Sequence, residues 1–297
     1  MAHGDRELVT LPDGRRLHLW HGGAPDGPTV WFLPGCPDSR LAALPGAAAA
    51  RRVGVRVVAV NRPGYGLSDT AEPGHLSVAD DIAAVADRLG IEVFSVLGMS
   101  LGGPYALACA ARHPSRVRSV GVVACPAPTP ELDPPWHRDD LSPEQQKFFA
   151  GLALASVEEC VEQFRPGFEE YVERMAPLDQ DDLALARRSL DVLDPQDARL
   201  LERLAPSDLA ASCREALGRT DGYLRDAAAT FRRWDFDPAR VECPTWLWYG
   251  SGDANVSPRN GQWLADRIPR ANLVLREGTS HLSTLHEHWE EILARLS

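Results

Sequence analysis

Val93-Phe94-Ser95-Val96-Leu97-Gly98-Met99-Ser100-Leu101-Gly102-Gly103-Pro104-Tyr105-Ala106-Leu107-Ala108-Cys109-Ala110 is the stretch on which the reading of this chain turns. It opens on an apolar run, Val93 to Leu97, of the kind that forms a buried strand. It closes on Tyr105, Ala106, Ala108 and Ala110, which belong to a helix. Between them, Gly98-Met99-Ser100-Leu101-Gly102 matches G-x-S-x-G, a string that chance produces in roughly one chain of this length in ten. The flanks therefore carry the weight. A serine on so tight a strand-to-helix turn is pushed into strained backbone angles, and its hydroxyl points outward only if small residues two positions either side let strand and helix approach. Gly98 and Gly102 supply that room. The helix start behind Ser100 offers free N–H groups and a positive dipole end, which favour a developing negative charge.

Outward from this turn, short apolar runs recur at Thr29 to Leu33, Arg56 to Val60, Val117 to Ala124, Thr245 to Tyr249 and Asn272 to Leu275, and they look like buried parallel strands. Helices are expected over Ser39 to Arg52, Ser77 to Leu89 and Leu101 to His113. In the second of these Ser77 is placed to cap, Asp80 takes the capping-box position, and Val78, Ile82, Val85 and Leu89 share one face. Alternation of this kind makes an α/β fold with a parallel sheet covered on both faces. Glu7 to Leu11 and Arg16 to Trp20, joined by Pro12-Asp13-Gly14, read as an antiparallel hairpin at its edge.

The alternation breaks once, after Cys125, where more than a hundred residues pass before the strand at Thr245. Ser142-Pro143-Glu144 reads as a helix start, and Val157 to Phe164, Leu183 to Leu190, Asp197 to Leu204 and Ser207 to Leu217 have helical periodicity separated by prolines. The expected organisation is a core over residues 1–130 and 216–297 with a helical cap inserted over 131–215. Glu131 to Glu215 holds 20 acidic and 9 basic residues, so the whole net charge of −11 lies in that segment. Solvated helix faces are the simplest reading of it. Such charge on the cleft would disfavour anionic substrates, and a chain without a basic stripe repels phosphate backbones, which argues against nucleic-acid binding.

No stretch approaches the roughly 18 apolar residues of a membrane span, and Met1 to Leu11 lacks the pattern of a secretion signal. A cytoplasmic protein with no membrane partner is expected. Six scattered cysteines, Cys36, Cys109, Cys125, Cys160, Cys213 and Cys243, have neither disulfide-framework nor zinc-site spacing and are read as reduced thiols.

A serine hydroxyl needs a base, and the base needs a group that fixes its tautomer. Of nine histidines, His281 follows the strand Asn272 to Leu275 through Glu277-Gly278-Thr279-Ser280 and directly precedes the last helix, a position beyond a strand's carboxyl end where the active-site groups of open sheets collect. His286 and His288 are expected inside that helix, towards solvent. Tyr249-Gly250-Ser251-Gly252-Asp253 places an acid at another strand end. Asp253 is therefore preferred over Asp235 and Asp237, which precede the strand.

The order Ser100, Asp253, His281 resembles that of the α/β-hydrolase fold. Further likenesses are Leu33-Pro34-Gly35-Cys36-Pro37 to its oxyanion loop, Asn61-Arg62-Pro63-Gly64-Tyr65-Gly66-Leu67-Ser68 to the loop after its fourth strand, Asp253-Ala254-Asn255-Val256-Ser257-Pro258 to its acid loop, and Gly278-Thr279-Ser280-His281 to its histidine loop. The resemblance implies a mostly parallel eight-stranded sheet flanked by helices, and an oxyanion hole made by the backbone N–H groups of Cys36 and Leu101. It implies a serine hydrolase of small carboxylic esters or lactones that needs no metal or organic cofactor. Aminopeptidase, thioesterase or carbon–carbon hydrolase chemistry on the same triad, a non-catalytic receptor, and a cofactor-free oxygenase or lyase using His281 as base are the alternatives.

Many members of that family carry His-Gly where this chain has Pro34-Gly35, so the loop must be held by other means. Arg62 and Tyr65 are read mainly as loop geometry, with active-site contact as the other reading. Cys36 is read as a loop-filling residue. Trp136, Phe148, Phe149, Phe164, Phe168, Tyr171 and Met175 are divided between pocket wall and plain core, and no substrate-binding residue is named.

Overall fold

A computed structural model describes residues 7–176 and 181–297. Eight strands form one sheet: β1 (Glu7–Thr10), β2 (Arg16–Gly23), β3 (Thr29–Leu33), β4 (Arg56–Val60), β5 (Phe94–Met99), β6 (Val117–Val123), β7 (Thr245–Gly250) and β8 (Ala271–Arg276). Their order is β1-β2-β4-β3-β5-β6-β7-β8. β1 and β2 pair antiparallel, β2 runs antiparallel to β4, and every pairing from β4 through β8 is parallel. The expected hairpin, parallel sheet and strand positions are all present.

The helices are α1 (Ala47–Arg52), α2 (His75–Arg88), α3 (Gly102–Arg112), α4 (Pro143–Leu152), α5 (Val157–Met175), α6 (Asp182–Asp191), α7 (Pro195–Leu201), α8 (Pro206–Leu217), α9 (Asp221–Thr230), α10 (Arg259–Ala265), α11 (Ser283–His286) and α12 (Trp289–Leu296). β3 is buried along its whole length and β5 likewise, which is why both read as unbroken apolar runs.

Four local expectations are corrected. Ser77 does not cap α2; the helix begins two residues earlier behind Gly74, Asp235 accepts from the Leu76 N–H, and Asp80 pairs instead with Arg112. The segment Ser39 to Arg52 is not one helix: Arg40–Gly46 winds as a 3₁₀ turn containing Pro45, which has no N–H for an α-helical bond, and α1 follows. The last helix is divided into α11 and α12 at Glu287 and His288. β8 is an edge strand and not a buried one, with Leu275 half exposed. The sequence pattern reads the strand, but which neighbours cover it is a tertiary matter.

The helical insertion lies between β6 and β7. Ser142 caps α4 with a full capping box, and Ser156 does the same for α5. α5 runs through Pro166 to Met175, beyond the end expected at Phe164. The acidic side chains Glu158, Glu159, Glu162, Glu169, Glu170 and Glu173 are exposed along it. Among the described residues, no helix is long and apolar enough to cross a membrane.

Candidate active site

β5 delivers Ser100 to the start of α3 with φ of +50°, a left-handed backbone that a side chain other than glycine adopts only under constraint. The constraint is visible. Ser100 N–H donates to Val123 O at 2.8 Å and Gly103 N–H donates to Ser100 O at 2.8 Å, fixing the turn on both sides. A Cβ on Gly98 would collide with the Gly102 carbonyl, and one on Gly102 with the Leu33 carbonyl. The two glycines thus perform the service expected of them, and the Ser100 side chain opens onto a cavity.

That cavity, of about 270 Å³, is lined by Ser100 and His281 together. His281 sits between β8 and α11, and its Nδ1 lies 2.8 Å from Asp253 Oδ2. The Asp253 side chain is fully buried, and its other oxygen accepts the N–H groups of Asn255 at 2.7 Å and Val256 at 3.0 Å. With both oxygens engaged, the carboxylate has one orientation and so does the imidazole. Asp235 and Asp237 lie elsewhere, binding Leu76 and Ala239 N–H groups respectively.

The loop after β3 runs beside the nucleophile position, since a Cβ on Gly35 would stand 3.4 Å from Ser100 Cβ. Cys36 lines the cavity, and among the described residues neither its N–H nor that of Leu101 donates a hydrogen bond. Burial pushes the Cys36 thiol well above its ordinary range, so it is no thiolate nucleophile.

What replaces the histidine of the usual loop is Arg62. Its guanidinium donates to Gly35 O at 2.8 Å and to Pro34 O, and it forms an ion pair at 2.5 Å with Asp226 of α9. Both side chains are almost wholly buried. Tyr65 and Tyr105 hydroxyls complete the acceptor shell of Asp226 at 2.8 and 2.7 Å, and Tyr65 Oη also meets Cys36 Sγ at 3.0 Å. The sequence reading left Arg62 without an assigned contact and did not single out Asp226. An arginine within a glycine-rich loop was the available signal; its partner, 164 positions away, had none.

A second buried carboxylate, Asp197 on α7, holds the other side of the site. It accepts the Leu282 N–H at 3.1 Å, the Ser283 N–H at 2.9 Å and the Ser280 hydroxyl, so it caps α11 directly after His281. Glu215 on α8, only partly buried, receives Arg40 and Asn61, both at 2.9 Å.

The remaining wall is mostly apolar, including Met99, Met175, Leu193, Leu209 and Leu217. Of the aromatic set, Tyr171 lines the cavity with Met175, whereas Trp136, Phe149 and Phe164 stack around Phe231 and Phe168 stacks on Tyr223. Among the described residues no acid of the insertion lines the cavity; its one carboxylate is Asp38 of the loop after β3. No group of described residues forms a set suited to a metal ion. His286 faces inward, not to solvent: it accepts from Trp289 Nε1, and burial lowers its pKa to about 4.

A model of the Alpha/beta hydrolase family matches residues 19–295. The chain belongs to that family. It is 30% identical to a pimeloyl-[acyl-carrier protein] methyl ester esterase of Chromobacterium violaceum over 94% of this chain and 92% of that one. Among solved structures it resembles an esterase of Thermogutta terrifontis with a TM-score of 0.65, 21% identity and coverage of 98% and 96% of the two chains. It also resembles an enol-lactonase of Burkholderia xenovorans, with a TM-score of 0.64, 20% identity and 97% of each chain covered. At those identities the two structures speak for the fold alone.

Proposed function

We propose that this α/β hydrolase cleaves small carboxylic esters or lactones through an acyl-serine intermediate on Ser100. The observation that carries this reading is the shared cavity of a strained Ser100 and a His281 whose ring is set by buried Asp253. His281 Nε2 takes the Ser100 proton as Oγ attacks the carbonyl carbon, and Asp253 stabilises the imidazolium at Nδ1. The oxyanion forms against the Cys36 and Leu101 N–H groups, each worth about 3 kcal/mol of barrier lowering. The proton passes to the leaving alkoxide as its bond to carbon breaks. Water, deprotonated by the same histidine, then attacks the acyl carbon, Ser100 recovers its proton and the acid departs.

The mostly apolar wall suits the carbon skeleton of an ester, and the volume lies just below the range of roughly 300–1,000 Å³ typical of drug-sized ligands, so the substrate is small. The esterase named among the relatives supports cleavage of an ester. In this reading residues 131–215 act as the cap over a core of 1–130 and 216–297.

The test is labelling by a fluorophosphonate probe together with turnover of short-chain p-nitrophenyl esters by wild type and Ser100→Ala. Wild type is expected to label and turn over, and the variant to lose labelling and about 10⁴-fold or more of kcat. Absence of Ser100-dependent labelling and turnover overturns the reading. Full activity of Ser100→Ala on another substrate would assign the chemistry to His281 as a base alone.

A further inference from the structure

Asp38 is an acid in a place where an acid is costly. It stands two residues beyond Cys36, hence within about 7 Å of backbone from the oxyanion loop. It lines the cavity of Ser100 and His281 together with leucine, methionine and valine side chains. Its Oδ1 accepts the Ser39 N–H at 2.7 Å and the Ser212 hydroxyl of α8 at 3.4 Å. Among the described residues its Oδ2 has no hydrogen-bond partner, and no arginine, lysine or histidine lies within ion-pair distance of it.

The titratable groups around it are Arg62, Cys36, Tyr171 on α5 and Cys213 on α8, with His281 lining the same cavity. Arg62, the cation among them, is committed to Asp226 and to the Pro34 and Gly35 carbonyls. Burial raises the Asp38 carboxyl to about 6, so near neutral pH it is an anion without a counter-ion. The contacts of Oδ1 serve the loop and α8, and a charge left open on the cavity at Oδ2 is the kind of group found in binding sites.

We infer that the cavity takes esters bearing a positively charged amine a few bonds from the scissile carbonyl, and that Asp38 receives the ammonium. This deepens the hydrolase reading and rests on it. The ammonium donates to Oδ2 while the apolar wall packs the rest of the substrate. Esters carrying a carboxylate at the same place are rejected by like charge.

The experiment compares isosteric pairs: alanine methyl ester against methyl isobutyrate for an amine on the acyl side, and 2-(dimethylamino)ethyl butanoate against 3-methylbutyl butanoate for one on the alcohol side. At pH 7 wild type should favour the charged member of at least one pair by about tenfold or more in kcat/KM. Asp38→Asn should bring that ratio near one, and in wild type it should shrink as the pH is lowered to 5. Stability separates this from a scaffolding role, because Asp38→Asn should melt at or above the wild-type temperature at pH 7, where a structural acid would cost stability. A wild-type ratio near one in both pairs, or a ratio that Asp38→Asn leaves intact, overturns the inference. Calorimetric binding of isobutylamine against isobutanol to Ser100→Ala reads the site without chemistry. Amine preference there with no ester turnover would sink the hydrolase reading and keep Asp38; turnover without amine preference would do the reverse.

Discussion

At the residue scale, the ion pair of Arg62 and Asp226 decides how this member of the family shapes the loop after β3, proposed above to hold the oxyanion. Pro34 brings neither an imidazole nor an N–H, so the loop is gripped through its carbonyls by a guanidinium instead. A guanidinium suits the task because it presents several donors in a rigid plane, two of which reach carbonyls while others reach a carboxylate. Removing one partner of so buried a pair strands the other, at a cost of about 3–5 kcal/mol. Arg62→Met should therefore lose about that much stability in urea denaturation. Arg62→Met/Asp226→Leu should regain only part of it, because the two charges leave together while the Tyr65 and Tyr105 hydroxyls and the Pro34 and Gly35 carbonyls lose their partners. The double variant should still show kcat on p-nitrophenyl butyrate lowered about 10²-fold, since the Pro34 and Gly35 carbonyls are released and the Cys36 N–H drifts. Recovery of kcat together with stability would show that the pair only holds the fold.

At the scale of elements, the helices between β6 and β7 do more than cover the sheet. α7 and α9 each send one buried carboxylate to one active-site loop, Asp197 to the start of α11 and Asp226 to Arg62. α11 is a single turn of four residues with no side-chain cap of its own, so Asp197 supplies what the local sequence lacks. Asp197→Ala leaves the Leu282 and Ser283 N–H groups without their acceptor, which costs about 1–3 kcal/mol. Because His281 lies one residue before Leu282, kcat should fall about 10- to 100-fold with KM little changed, as expected when a base is displaced and substrate contacts stay. Steady-state kinetics alongside thermal melts check this, and a stability loss with kcat unaltered would make Asp197 a helix cap and nothing more.

For the molecule as a whole, acid is the predicted weakness. His137 is held neutral by burial and by the neighbouring positive charge of Arg138, its pKa lowered to about 3, and His286 by burial to about 4. In the unfolded chain both titrate near 6.5. Between roughly pH 6.5 and 4 the unfolded state binds protons that the folded state refuses, so stability is fully present above pH 6.5 and is lost as the pH falls through that window. For His286 alone the loss is on the order of 3 kcal/mol. Denaturation midpoints measured from pH 4 to 8 should rise with pH across this interval, and His286→Gln should flatten part of the slope. A profile unchanged by that substitution would remove His286 from the account.

How much of this was legible beforehand follows from the range over which each feature is decided. Chain periodicity and turn chemistry are local, and from them the alternation of strands and helices, the glycine-flanked turn at Ser100, and the strand-end positions of Asp253 and His281 could all be read. The edge exposure of β8, the inward turn of His286 and the true start of α2 could not, because each depends on which distant element packs alongside. The same holds for the hold on the oxyanion loop. Arg62 stands in a stretch that reads as loop geometry, and its partner Asp226 sits in a helix that no periodicity had marked. Buried charges are tolerated only when paired, and the pairing is made across the fold, between residues whose sequence positions carry no trace of it. The sequence by itself determined the family and the sheet, and it placed Ser100, Asp253 and His281, the side chains proposed to react, at strand ends. Only the tertiary structure decided what clamps those side chains in place and that Asp38 faces the same cavity, because burial and proximity come into being when the chain closes on itself.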